Sequence, residues 1–267
     1  MSIQSLAYDL PIWLFGLILI IVLALSLEVG YRLGYRQRDR WKDAETGGGA
    51  LVLTSMFAVM GLILAFSYAA GMSRNEKRKQ NVIAEANALG TAFLRSNLVD
   101  EPGRTALKQA LLEYARTRVF ETGVVLTSEE EQRRIQVSRQ KLARLWPVAE
   151  KAVNQRDPPG PVEASLVAAI NDAIDIHTTR AAGAVDKLPR TVFWMLILIT
   201  AASLAMAGFN AGISGQMSSW RMTTFVVILA GVLLVIIDFD RAGDGLIRVS
   251  QASIFNVIEE MEADLGR

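Results

Sequence analysis

The sequence lacks cysteine and has a single histidine, His177, among its 267 residues. Without a thiol, the chain has no disulfide framework, no thiolate nucleophile and no cysteine-based metal site. His177 continues the apolar helical stripe of Leu166, Ile170 and Ala173, which favours a structural role over a catalytic or metal-binding one. Because acid–base and nucleophilic catalysis usually use histidine, cysteine or an activated serine, the residues argue against an enzyme, and no cofactor is predicted.

The sequence also has no excess of charge of either sign, since 28 basic and 27 acidic residues leave a net charge of +1. The basic residues are spread along the chain rather than gathered in a patch with aromatics, so no nucleic-acid partner is expected. The glycine-rich stretch "TGGGA" at 46–50 lacks the Lys and Ser/Thr of a phosphate-binding loop. It precedes an apolar run, which favours a hairpin turn.

Four long apolar runs hold most of the hydrophobic residues, at 11–30, 51–72, 192–213 and 220–239. About 20 apolar residues cross a hydrocarbon core of roughly 30 Å, so each run predicts a transmembrane helix. No Lys or Arg precedes Arg32, and the first run is longer than a usual signal-peptide core, so it is not expected to be cleaved. The runs predict transmembrane hairpins over 1–72 and 190–239, followed by a C-terminal segment over 240–267.

Residues 73–189, between the hairpins, are polar and repeat apolar positions at helical spacing, which predicts a soluble helical block. The breaks "DEPGR", "TSEEE" and "DPPGP" separate helices predicted at 74–98, 104–122, 129–155 and 162–187. Pro147 is expected to kink or restart the third of these helices. The predicted fold class is an all-α integral membrane protein with four transmembrane helices and this block inserted between the second and third spans.

The orientation is predicted from basic residues near the span ends. On the block's side of the membrane lie Arg74, Lys77, Arg78, Lys79, Arg180, Lys187, Arg190, Arg241 and Arg248. On the opposite side lie Arg32, Arg36, Arg38, Arg40 and Lys42 of the first hairpin loop and Arg221 of the second. The larger number on the block's side predicts that the block and both termini are cytoplasmic.

The second apolar run passes into charged residues without a Gly or Pro between Gly71 and Gly90, which predicts one helix that leaves the membrane. Its residues Ala58, Leu62 and Phe66 recur every four positions beside a stripe of small residues. One interpretation is helix packing within a monomer. The other is a pore surrounded by several copies, in which Leu62 and Phe66 point inward and form apolar rings that gate the pore. Basic vestibule residues would then attract anions: Arg74, Lys77, Arg78 and Lys79.

Two acidic features are assigned structural roles. Asp238, Asp240 and Asp244 lie within seven positions, but if a calcium loop is counted from Asp238, its twelfth position, which requires Glu, is Val249. A solvated turn held by pairing of the aspartates with Arg241 is favoured over a metal site. Separately, Glu28 near the end of the first run is expected to pair with Arg32 at i+4, which is favoured over a role as a buried proton carrier.

Two stretches carry a resemblance to a known family. "EANALGTAFLRSNLVDEPGRTALKQALLEYARTRV" begins at Glu85, and "DFDRAGDGLIRVSQ" covers 238–251. They resemble the bacterial bestrophin-like family of unknown function, whose usual forms are "EANAIGTAYLR" and "DLDRPxxGxIxVSQ". The second pattern matches at Asp238, Asp240, Arg241 and Gly245. This resemblance covers almost the whole chain, whereas that to true bestrophin anion channels is distant and mainly architectural.

The resemblance implies a homopentameric ion channel of the bacterial inner membrane, conducting anions through a pore lined by the second span. Bestrophin constriction positions carry over to Ala58, Leu62 and Phe66, although alanine at the first position is smaller than the family pattern. The animal calcium-binding segment does not carry over, because this sequence has only spaced aspartates. The expected partners are the lipid bilayer, other copies of the chain and inorganic ions. A non-conducting scaffold or sensor whose block binds a partner is the alternative.

Overall fold

The structure, a computed structural model, describes residues 10–41, 47–119, 128–154, 160–215, 219–241 and 245–266. These residues form the helices α1 (Ile12–Trp41), α2 (Gly47–Arg95), α3 (Gly103–Arg116), α4 (Ser128–Val153), α5 (Pro161–Val185), α6 (Arg190–Ser214), α7 (Ser219–Asp240) and α8 (Ala252–Asp264). Within these ranges there is no strand, which confirms the all-α prediction. Helices α1, α2, α6 and α7 are each long and apolar enough to cross a membrane.

Helix α2 continues without a break from the second apolar run into the polar sequence that follows it, as predicted. The backbone hydrogen bonds of a helix do not depend on side-chain polarity. Residues 72–89 contain no Gly or Pro, so nothing in them ends the helix. One 49-residue helix therefore carries both an apolar and a charged half.

Helix α1 shows why an apolar run is a poor guide to where a helix ends. The run stops at Gly30, but the helix continues to Trp41. Arg32, Arg36, Arg38 and Arg40, which were assigned to a hairpin loop, lie in this helix, so that prediction was wrong. The expected pairing with Glu28 is confirmed, because Arg32 Nε donates to the Glu28 carboxylate at 2.7 Å. Pairs of this kind support a helix beyond its apolar part.

The helices of the block end earlier than predicted. Helix α3 stops at Arg116 because the chain tightens into i→i+3 hydrogen bonds: Thr117 N donates to Tyr114 O and Arg118 N to Ala115 O, both at 2.9 Å. Pro147 lies inside α4, so it does not restart that helix as one prediction allowed. Helix α8 was not predicted at all.

The chain divides into two compact units. The first comprises Met1–Arg74, Lys187–Arg241 and Gly245–Ile247, and the second comprises Asn75–Asp186, Ala242–Asp244 and Arg248–Arg267. The first unit therefore contains α1, α6, α7 and the apolar half of α2. The second contains the charged half of α2 together with α3, α4, α5 and α8.

In the first unit, α1 and α6 pack through glycine. Gly30 of α1 faces Ala205 of α6, and Gly34 faces Phe209. The paired residue numbers increase together, so the two helices run parallel. Two parallel spans cross a membrane in the same direction, as the order of two spans, block, two spans requires. The surrounding core is formed by large apolar side chains such as Leu23, Leu196 and Leu233.

The second unit has its own core, in which buried leucine and isoleucine side chains of several helices meet. Leu89 of α2, Leu111 of α3, Leu145 of α4 and Ile170 of α5 are all fully buried in it. Ile254 of α8 joins the same core. An apolar interior of this kind provides the main favourable free energy for packing the helices of the unit together.

Candidate functional site

The three predicted constriction positions lie on an exposed face of α2 within the first unit. The side chain of Leu62 is 56% exposed and that of Phe66 is 68% exposed, and Ala58 is exposed as well. Next to them, a Cβ added to Gly61 would contact no atom within 4 Å. The structure thus brings Ala58, Leu62 and Phe66 onto one open face, with small residues beside them.

The opposite face of α2 packs against α7. Phe57 meets Phe225, and Tyr68 meets Phe239, each in an edge-to-face arrangement with ring centroids 5.4 Å apart. Gly71 allows close approach, since a Cβ there would lie 3.2 Å from the Phe239 side chain. Even so, the apolar part of α2 is the least buried of the four spans within the chain. Most of its surface is therefore available to lipid or to other copies.

The four predicted vestibule cations are placed differently from one another. Lys77 and Lys79 are exposed. Arg78 is buried and donates from Nε to Gly183 O at 3.0 Å and from Nη2 to Asp186 O at 2.8 Å, so it binds carbonyls at the end of α5. These carbonyls lack partners within the helix, and a cation near them is favourable.

Arg74, the fourth predicted vestibule cation, also points into the protein. In the first unit its Nε lies 3.4 Å from Asp240 Oδ1. Its side chain is 17% exposed. Exposed basic charge beyond the second span is therefore carried by the two lysines rather than by Arg74 or Arg78.

The C-terminal motif forms a buried junction in the first unit, not the solvated turn that was predicted. Both oxygens of Asp240 accept from Leu188 N, at 2.8 and 2.7 Å. Asp238 accepts from Leu246 N at 2.9 Å and from Ile247 N at 2.8 Å. Both carboxylates are almost fully buried. Burying an ionised carboxylate costs free energy unless hydrogen bonds replace those it made with water. Backbone N–H groups supply these hydrogen bonds here, so the aspartates do not need solvent and the prediction of a solvated turn was wrong.

The remaining two motif residues complete this junction. Arg241 Nη1 donates to Leu10 O at 2.9 Å, which holds the chain just before α1. Gly245 lies against Asp238, and a Cβ at this position would fall 2.2 Å from Asp238 Oδ1. The end of α7 is therefore tied to the chain before α6, to the chain before α1 and to the later part of the motif at Leu246 and Ile247.

The second unit contains a buried charged cluster that the sequence analysis did not identify. Glu85 of α2 is fully buried and accepts from Arg118 Nε at 2.7 Å and from Arg180 Nη1. Tyr114 Oη donates to Glu85 Oε1 at 2.8 Å and lies 2.9 Å from His177 Nδ1. We call Glu85, Tyr114, Arg118, His177 and Arg180 the Glu85 cluster.

Burial and the local charges shift two pKa values in the Glu85 cluster. Burial, followed by the adjacent Glu85 carboxylate, raises the pKa of Tyr114 well above its usual range, so its hydroxyl stays protonated. Burial, followed by the guanidinium of Arg118, lowers the pKa of His177. At neutral pH the imidazole is therefore uncharged.

One sequence signal for the Glu85 cluster was available. Val82, Glu85 and Leu89 share the helical spacing of a buried face, and both apolar neighbours are buried. A carboxylate on such a face requires partners. The partners themselves are 29 or more residues away and carry no local signature.

Comparisons with known proteins agree with this architecture. The family model of the Bestrophin-like domain matches residues 14–254. A crystal structure of a bacterial bestrophin homologue from Klebsiella pneumoniae, carrying a tyrosine-to-alanine mutation, is similar with a TM-score of 0.62 and 11% sequence identity. The alignment covers 91% of this chain and 98% of that chain. No curated protein matches. The resemblance inferred from the two motifs is confirmed.

Proposed function

Because the chain belongs to the Bestrophin-like family, we propose that it is an oligomeric, anion-conducting channel whose pore is lined by α2. The observation that carries this proposal is the open face of α2, where Leu62 and Phe66 are both more than half exposed. They lie on the span that the chain itself buries least. Copies of the chain arranged around an axis would turn this face toward a shared centre.

The chemistry of this face suits a gate. Residues four apart lie on one side of a helix, so Leu62 and Phe66 would form successive apolar rings. Water leaves a narrow apolar constriction, and ions then cross only when the rings widen. The small residues beside them, such as Gly61, let neighbouring helices approach closely. Exposed Lys77 and Lys79 beyond the span would favour anions near the pore.

We propose a homopentamer in the bacterial inner membrane, with the helical block in the cytoplasm. The resemblance to bestrophins supports the number of copies, and the distribution of basic residues supports the orientation. The partners in this proposal are the lipid bilayer, other copies of the chain and inorganic ions, with no nucleic acid, no cofactor and no catalytic role.

The test combines assembly and transport on one purified sample. Single-particle imaging in lipid nanodiscs is expected to show a five-fold axis surrounded by α2. In sealed liposomes containing the same protein, chloride flux is expected to exceed both potassium flux and the leak of empty liposomes. An oligomer that conducts no ion would instead support a scaffold whose helical block binds a partner. A monomer would exclude the shared pore.

A further inference from the structure

The Glu85 cluster joins four helices of the second unit. Glu85 lies on α2, Tyr114 on α3 and His177 on α5. Arg118 follows α3 and also donates from Nη1 to Ser138 Oγ of α4, at 3.3 Å. Glu85, Arg118, Ser138 and His177 are all buried. A change of charge in the Glu85 cluster therefore alters the interactions that hold α2, α3, α4 and α5 together.

The hydrogen bonds determine which nitrogen of His177 carries a proton. Two guanidinium groups bind the carboxylate of Glu85, which favours its ionised form, and an ionised carboxylate only accepts. The single proton of the Tyr114 hydroxyl is therefore donated to Glu85. The bond between Tyr114 Oη and His177 Nδ1 then requires Nδ1 to be the donor. Neutral His177 thus holds its proton on Nδ1 and its lone pair on Nε2.

A second proton on His177 would enter a site with an excess of positive charge. The charged groups that act on the ring come from four helices or their ends: Glu85 from α2, Arg118 after α3, Arg139 from α4 and Arg180 from α5. Three of these are cations and one is an anion. The phenol of Tyr114 stays neutral. Protonation keeps the Nδ1 donor but adds repulsion from the arginines.

We propose that His177 is an acid-sensitive latch of the helical block: neutral and protonated on Nδ1, it stabilises the junction of α2, α3, α4 and α5, and a second proton on Nε2 weakens that junction. The ligand that the Glu85 cluster binds in this proposal is a proton, at Nε2 of His177. This proposal does not depend on ion conduction, so the result of its test is independent of the result of the test for the proposed channel.

The sign of the pH dependence follows from linkage. Histidine in an unfolded chain has a pKa near about 6.5, and the folded-state pKa of His177 is lower. Between the two values the unfolded chain binds more protons than the folded one. The stabilising contribution is therefore complete above about pH 6.5 and is lost as the pH falls through 6.5 toward the folded-state pKa.

The sole histidine makes a direct spectroscopic test possible. Protein labelled with 15N-histidine and placed in liposomes gives ring signals from His177 alone. Solid-state NMR at pH 7.5 is expected to show the neutral tautomer with hydrogen on Nδ1, and titration is expected to give a pKa below about 6.5. A neutral ring with hydrogen on Nε2, or a pKa at or above that of free histidine, would overturn the latch.

A matched variant tests the energetic consequence. Gln in His177→Gln offers an amide N–H to Tyr114 but does not titrate. Thermal midpoints of both proteins in detergent are compared between pH 7.5 and 5.5, above the range where most carboxylates protonate. Over this range the wild-type midpoint is expected to fall by at most about 3–5 °C relative to the variant, because only about one pH unit of the range lies below the pKa of unfolded histidine. If the thermal midpoints of the wild type and the variant change equally with pH, the proposal is contradicted. If the variant does not fold, the tautomer and the pKa of His177 measured by NMR in the wild type test the proposal.

Discussion

Gly30 of α1 and Ala205 of α6 lie so close that a Cβ at Gly30 would fall 1.9 Å from the carbonyl oxygen of Ala205. The atoms that such a Cβ would contact belong to the backbone of α6, which cannot move away as a flexible side chain can. Gly208 of α6 shows the same closeness, because a Cβ there would fall 2.1 Å from Leu27 O. This pair of parallel spans therefore depends on residues without side chains at the contact.

The first prediction concerns this contact. Gly30→Ala is expected to force α1 and α6 apart and to lower the free energy of unfolding by about 1–3 kcal/mol or more, measured by denaturation in detergent. The matched control is Gly231→Ala on α7, where an added Cβ meets nothing within 4 Å. Alanine is the better helix former by about 1 kcal/mol, so the control should be neutral or stabilised. Equal effects of the two changes would contradict the packing of α1 on α6.

The second prediction concerns the junction at the end of α7. In Asp240→Asn, one of the two oxygens that accept from Leu188 N becomes an NH2 group, and the charge facing Arg74 is lost. Charge-assisted hydrogen bonds of buried groups contribute about 1.5–3 kcal/mol each, so the unfolding free energy should fall by a similar amount. The loss should be the same with and without a chelator. Wild-type protein that loses this stability on addition of chelator alone would show a metal site instead.

The third prediction compares a buried ion pair with an exposed one in the second unit. Glu85→Gln leaves the guanidiniums of Arg118 and Arg180 without their shared carboxylate, and removal of one buried partner typically costs about 3–5 kcal/mol. Glu262 pairs with Arg116 at the surface. Glu262→Gln should therefore cost less than about 1 kcal/mol. Chemical denaturation of the two variants measures both values, and similar losses would show that the Glu85 cluster contributes no more than a surface pair.

The elements of the fold were predictable where the signal was local. Apolar length predicted the spans, and the absence of Gly and Pro from residues 72–89 predicted that α2 continues unbroken past its apolar part. Helix α8 was missed although it has a local signal: Ile254, Ile258 and Met261 are buried at i, i+4 and i+7. Residues 240–267 were instead predicted only as a C-terminal segment.

The contents of the candidate sites were less predictable, because they depend on contacts between distant parts of the chain. Tyr114 and His177 are 63 residues apart in sequence and meet only when α3 and α5 pack. Arg78 was expected in a vestibule because it belongs to the basic stretch that follows the second apolar run. The terminal carbonyls of α5, which need donors, instead attract it into the interior.

The fourth prediction concerns orientation in the membrane. The chain has no cysteine, so single cysteines can be introduced as reporters. Gln140→Cys lies on an exposed position of α4, and Arg40→Cys lies on an exposed position near the end of α1. In intact cells, a membrane-impermeant thiol reagent is expected to label the α1 site and not the α4 site, because the block is proposed to be cytoplasmic. Labelling of the α4 site with protection of the α1 site would reverse the orientation.

The last prediction concerns conduction. Leu62→Ala and Phe66→Ala each remove most of the apolar bulk of one proposed ring, so an ion meets a wider and wetter passage. Chloride flux through proteoliposomes is expected to rise above that of wild type in both variants, whereas Ala58→Leu adds a constriction and should lower it. Ile228→Ala is the matched control, because Ile228 on α7 is 57% exposed and Leu62 is 56% exposed. If α2 instead contacts only lipid or neighbouring helices, the ring variants will conduct no more than empty liposomes while remaining folded and oligomeric, and the pore assignment will be wrong.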